Sequence, residues 1–224
     1  MQRRDFHLID KTSWISGIWQ QEPDRIEWFD DASGLHCLVL RSPQMGHLCG
    51  YVGIAPNHPA WGVHYDGISM EDADERHRRY QQIWAICSDL RRKGLNIEEA
   101  HGVGYRKVFD DGWKEQPTNI GALIDDLQVH GGLTFAGHID EEKGPRDMSP
   151  ELGNIDPKGL WWFGFDAAHA FDMTMMSYPG NAMMSIRQTI YRDVDYMIGE
   201  CTELAGQLAA MLEPPIEARR KKRR

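Results

Sequence analysis

The sequence is most restrictive in what it lacks. It holds four cysteines, Cys37, Cys49, Cys87 and Cys201, and none stands in a CxxC or zinc-like spacing. All of them fall within apolar stretches, which suits buried, reduced thiols better than a disulfide frame or a thiolate nucleophile. No apolar run approaches the ~18 residues that a membrane span needs. Positions 1–10 are charged and lack the apolar core of a secretion signal. No membrane partner and a cytoplasmic location are therefore expected. Also missing are a Walker A loop, a GxGxxG fingerprint, an HExxH pair, an EF-hand loop and a GxSxG elbow. Common kinases, dehydrogenases, zincins and serine hydrolases are thereby set aside. His130-Gly131-Gly132 is not a lipase-type oxyanion loop.

Positive charge is also short. Lys and Arg number 25 against 34 Asp and Glu, for a formal net charge of −9. Six of the basic residues occupy positions 219–224, so the remainder carries −15. An acidic body argues against a broad nucleic-acid-binding face. Any such contact is confined to the basic, disordered tail at 214–224, whose alternative is a solvated terminus.

What is present is an ordinary globular composition, 224 residues with 41% apolar and 26% charged, enough for a large core without staples. Positions 1–24 read as an irregular arm. Runs at 26–29, 35–41 and 47–54 read as an antiparallel meander, the first two joined by an Asp-Asp-Ala-Ser-Gly loop. Gly50 and Gly53 predict a bulge or a close backbone approach. Ser69, with Asp72 after it, opens a helix that runs to about Lys93 before Gly94. On it Tyr80, Ile83, Trp84, Cys87 and Leu90 share an apolar face. The stretch 95–116 reads as loop with short structure, and Thr118 caps a short helix through Leu127. A strand at 129–137 is entered through two glycines, a polar loop fills 138–158, and 160–165 is a buried aromatic strand. The Met-rich run 173–184 is core filler or a flexible surface. The clearest helix spans 185–212, with Ile190, Val194, Met197, Cys201, Leu204, Leu208 and Met211 in one stripe. The expectation is an α+β fold over 1–213, mainly an antiparallel sheet of five or more strands packed with two long helices.

Two segments concentrate the chemistry. In Asp166-Ala-Ala-His169-Ala-Phe-Asp172 a helix would place Asp166, His169 and Asp172 on one face. Two carboxylates and an imidazole can hold a divalent cation with open positions. The structural alternative makes Asp166 a helix cap and His169 a core hydrogen-bonder. In His130-Gly131-Gly132-Leu133-Thr134, adjacent glycines let an anionic ligand approach backbone N–H groups. On a strand His130 and Thr134 share a face, and His130 suits a metal ligand or general base. The alternative is a plain turn. His58, flanked by prolines, and Arg192, before the last helix, are weaker ligand-binding candidates; a structural loop and a solvated helix face are their alternatives.

Three blocks together resemble an uncharacterised protein family of tailed bacteriophages and prophages. They are Cys49-Gly-Tyr-Val-Gly53 with His58-Pro59, then Val129-His-Gly-Gly-Leu-Thr-Phe135, then Trp161-Trp-Phe-Gly-Phe-Asp-Ala-Ala-His-Ala-Phe-Asp172, with Tyr191-Arg192-Asp193 following. The resemblance covers roughly 15–212. Members of that family often have Cys and Gly where this chain has Ala167 and Phe171. They usually lack much of 70–116, which marks that stretch as an insertion within the single domain. The resemblance implies a phage origin and a host-cell setting; it transfers no activity.

Three functions follow as expectations. The first is a metal-dependent hydrolase of a phosphoester or nucleotide-like ligand. There His130, Asp166 and His169 are catalytic, Asp166, His169, Asp172 and His130 hold Mn, Mg or Zn, and Gly131, Gly132, Thr134, His58 and Arg192 bind the ligand. The second is a non-catalytic binder that sequesters a small anionic nucleotide signal or inhibits a host defence protein. The third is an assembly protein that forms homo-oligomers through its helices.

Overall fold

The computed structural model describes residues 3–139, 159–174 and 189–212. Positions 140–158 of the loop expected at 138–158, most of the Met-rich run, positions 185–188 of the helix expected from 185 and the basic tail lie outside the described residues. Positions 189–193 are described and not helical, so that helix begins only at Val194, where Asp193 caps it by accepting from Tyr196 N at 2.9 Å. The chain divides into two compact units. One comprises Met1–Trp61 with Asp126–Arg224, and the other is Gly62–Asp125.

The first unit is built on a six-stranded, wholly antiparallel sheet in the order β1-β2-β3-β4-β6-β5. Its strands are β1 (Arg3–Phe6), β2 (Arg25–Asp30), β3 (Leu35–Arg41), β4 (Leu48–Ile54), β5 (Phe135–Gly137) and β6 (Trp161–Asp166). With the helices below, this is the expected α+β fold. β1 replaces part of the expected irregular arm. Its charged sequence has no strand pattern; pairing with β2 makes it a strand, with Arg4 on Glu27 at 2.6 Å and Arg25 stacked 3.9 Å over the Phe6 ring. β5 is much shorter than the strand expected over 129–137, because the chain before it is a turn.

The strands β3, β4 and β6 are buried on both faces, and side-chain alternation sorts them. Leu38, Leu40, Cys49, Tyr51 and Trp162 form a cluster on one face, joined by Ile9, Phe135 and Leu160. The other face carries α4 (Val194–Ala210), which packs on β3 and β4. Its buried stripe is Val194, Met197, Cys201, Leu204 and Leu208. Gly50 shows why the helix comes so close. A Cβ there would stand 2.4 Å from the Phe165 ring and 2.7 Å from Cys201 Sγ. The register across β4 and β6 is unbroken, so the glycine marks a close approach and not a bulge. Burial pushes the Cys37 thiol up to about 12 and raises that of Cys201 as well, consistent with inert core cysteines.

A buried polar network, unforeseen in the sequence, ties the arm to the segment before α4. Arg41 is fully buried and donates to Asp24 (3.1 Å), Glu22 (2.9 Å), the Gly46 carbonyl (3.0 Å) and Tyr191 Oη (2.9 Å). Asp24 also accepts from Lys11 (2.6 Å) and from the backbone N–H groups of Leu8 (2.8 Å) and Ile9 (2.9 Å).

The second unit holds α1 (Met70–Arg92), α2 (Ile97–Val108) and the short α3 (Gly121–Asp125). Ser69 caps α1 by accepting from Asp72 N at 3.0 Å, and Gly94 follows it in the left-handed region, as expected. The stretch expected as loop with short structure from 95 contains α2, a helix of 12 residues. Its glycines argue against a helix, yet Asn96 caps it by accepting from Glu99 N at 2.9 Å, and Gly104 lets α2 close on Ile83 and Cys87. Of the expected α1 face, Ile83 and Cys87 are buried in this pairing, while Trp84 is 62% exposed. Within this unit α1 packs against α2, and within the first unit α4 packs on β3 and β4.

Candidate metal centre

The turn 129–134 and the turn 167–172 bring three side chains together. His130, His169 and Asp172 each offer a ligand atom, and these atoms lie within 4.8 Å of one another. The expected helix over 166–171 does not form. After β6 the chain bends at once: Asp166 Oδ1 accepts from Ala168 N at 3.0 Å, and Asp172 Oδ2 accepts from His169 N at 3.1 Å. Small residues and two local carboxylate acceptors favour such a turn over a helix. Asp166 therefore stands at the margin, with its Oδ1 3.6 Å from His169 Nδ1.

The carboxylate of Asp172, buried at 8% exposure, is the hub. Its Oδ2 meets His130 Nε2 at 2.7 Å, and its Oδ1 accepts from Arg192 Nε at 3.0 Å. Burial alone would disfavour its charge. The hydrogen bonds from His130 and Arg192 outweigh that, and its pKa lies below the ordinary aspartate value. The other nitrogen of His130, Nδ1, lies 3.0 Å from Tyr196 Oη, and the His130 backbone N–H donates to Glu200 at 2.7 Å. The Arg192 guanidinium also sits 4.8 Å over the Tyr196 ring. Such outer partners orient a metal-ligating histidine and fix its tautomer.

Gly131 makes the arrangement sterically feasible. It adopts φ +69°, and a Cβ on it would stand 2.1 Å from Cε1 of His169. The imidazole thus lies where any other residue would put a side chain. His169 Nδ1 is buried and has no hydrogen-bond partner, which is unusual for a buried polar atom. That orphaned nitrogen beside an ionised carboxylate and a second imidazole is what a divalent ion would satisfy. The fit is close: two ligands on one tetrahedral ion stand roughly 3.0–3.4 Å apart, so the 2.7 Å His130–Asp172 pair must open by about half an ångström.

Other expected site residues fall elsewhere. His58 is 5% exposed and fully employed, with Nε2 on the Leu208 carbonyl at 2.9 Å and Nδ1 accepting from Ala60 N at 3.1 Å. It anchors the loop after β4 to α4 and is not free for a ligand. Arg192 braces Asp172 through its Nε at 3.0 Å. Gly132, with φ +85°, donates its N–H to Val129 O at 3.0 Å and so does not offer it to an anion. Thr134 is exposed and precedes β5, so it shares no strand face with His130. Tyr196 and Glu200 were missed. Their signal is the four-residue spacing Arg192, Tyr196, Glu200, a polar row alongside the apolar stripe of α4.

A groove of about 420 Å³ lies in the second unit between α1 and α2, lined by residues that include Trp84, Cys87, Arg91 and Ile97. None of the centre's side chains is among them. Among the described residues no helix is long and apolar enough to cross a membrane. No family model, curated protein or solved structure matches the chain.

Proposed function

We propose that the chain binds one divalent metal ion through His130, His169 and Asp172 and hydrolyses a phosphoester or nucleotide-like substrate there, as a phage-derived accessory protein of the host cytoplasm. The observation that carries this reading is the convergence of three ligand atoms within 4.8 Å around an orphaned imidazole nitrogen. Two imidazoles and one carboxylate suit zinc or manganese; magnesium prefers an all-oxygen shell. A bound ion would supply a Lewis acid and a water acidified toward neutrality. The chain's own residues hold the ligands: Arg192 takes one oxygen of Asp172 and leaves the other, while Tyr196 and Glu200 fix His130. Asp166, whose Oδ1 lies 3.6 Å from His169 Nδ1, serves as general base.

Calorimetry with zinc and manganese tests this. One ion should bind per chain, and His169→Ala should weaken it at least about a hundredfold, beyond the usual loss for an outer-shell partner. Hydrolysis of bis-p-nitrophenyl phosphate should then require the ion and Asp166. A folded protein that takes up neither metal refutes the reading.

One observation favours a second reading. Both oxygens of Asp172 already have partners within the chain, so Asp172, His130 and Tyr196 also form a self-contained hydrogen-bonded unit. That unit suits a non-catalytic binder of a small anionic ligand. Absent metal uptake, together with saturable nucleotide binding and no turnover, would select it.

A further inference from the structure

Phe171 is the one non-glycine with positive φ, +74°, among the described residues. A bulky aromatic side chain is a steric outlier in that region. The ring recovers little by burial, since it is 62% exposed. Glycine would adopt the same backbone without strain. On folding grounds alone, a ring at this position is a liability.

The backbone that carries the ring is nevertheless held firmly. Ile190 N donates to Phe171 O at 2.8 Å, Met173 N donates to Ile190 O at 2.9 Å, and Asp172 N closes the turn on His169 O at 3.0 Å. Asp172 and Ile190 form a parallel bridge, and Ile190 is itself 55% exposed. The same turn supplies His169 and Asp172 to the centre. An exposed ring on a strained, fixed backbone, directly beside two candidate metal ligands, has a reason outside the fold.

We infer that Phe171 is a substrate-contact residue whose ring stacks on a planar ring of the substrate, a nucleobase or aryl group, while the phosphoester lies at the His130–His169–Asp172 centre. The substrate class is thereby narrowed to phosphoesters that carry an aromatic ring. This inference rests on the metal-centre reading above.

The test compares adenosine monophosphate with ribose 5-phosphate as calorimetric probes on manganese-loaded protein. Wild type should bind the nucleotide about tenfold more tightly, in the range of base–aromatic stacking. Phe171→Gly should erase that preference, leave manganese affinity unchanged and melt no lower than wild type. Phe171→Trp should keep the preference. A Phe171→Gly protein that retains the preference, or that melts clearly lower, overturns the inference while the metal reading stands. Wild-type protein that takes up no manganese overturns both.

Discussion

Two clusters of ionisable side chains lie in the first unit, and they differ in how completely their atoms are partnered. Around Arg41, each nitrogen of the guanidinium has an acceptor, and Asp24 is filled by Lys11, Arg41 and two backbone N–H groups. Around Asp172, His169 keeps a buried nitrogen with no hydrogen bond, and its side chain is 33% exposed. The first cluster is closed and needs nothing further; it is architecture. The second leaves one buried nitrogen without a hydrogen bond and is partly exposed, which makes it, and not the first, the candidate ligand site. Charge and burial alone would have ranked them in the opposite order.

Mutations can break this comparison, and the largest effect belongs to the closed cluster. Arg41→Met should destabilise the protein by about 3–5 kcal/mol, because Asp24 and Glu22 lose their buried partner. Urea unfolding measures it, and an effect below about 1 kcal/mol would mean the network is looser than its geometry. Next comes Gly131→Ala, which pushes a methyl group into His169. Metal affinity should fall by about ten- to a hundredfold, with a stability loss of only about 1 kcal/mol from the positive φ. A variant that binds metal normally would remove His169 from the ligand set. Tyr196→Phe should be milder, roughly tenfold in metal affinity through the lost His130 contact, with the melting temperature nearly unchanged.

The smallest effect is on pH dependence. The folded pKa of Asp172 lies below its unfolded value, so the unfolded chain takes up the proton more readily. Its contribution to stability is present above about pH 4, the unfolded aspartate value, and is lost as pH falls through the folded pKa. Asp172→Asn should flatten that acid limb in urea titrations that run from about pH 5 down to about pH 2. An unchanged limb would mean that Arg192 and His130 do not stabilise the carboxylate.

Much of the fold was legible because local signals agreed with it. The alternating runs of β2 to β4, the aromatic run of β6, the Ser69 cap and the apolar stripe of α4 each carry their own physical cause. β1 and α2 were not legible. A charged edge strand is made by its neighbour, and Gly104 is a helix breaker unless one knows that α1 needs the space it leaves. In the site, His130, His169 and Asp172 were legible as residues but not as an arrangement. The sequence suggested a helical face for Asp166, His169 and Asp172 and a strand face for His130 and Thr134, and neither element forms there.

Composition and periodicity alone thus determined the α+β class, the buried cysteines and the two segments that hold the candidate chemistry, because those properties depend on residue type and local spacing. Only tertiary structure decided that His58 and Arg192 are braces, that Tyr196 and Glu200 belong beside His130, and that Gly131 exists to make room for His169. Those roles depend on which distant side chains share a few ångströms of space, and one-dimensional spacing carries no record of that.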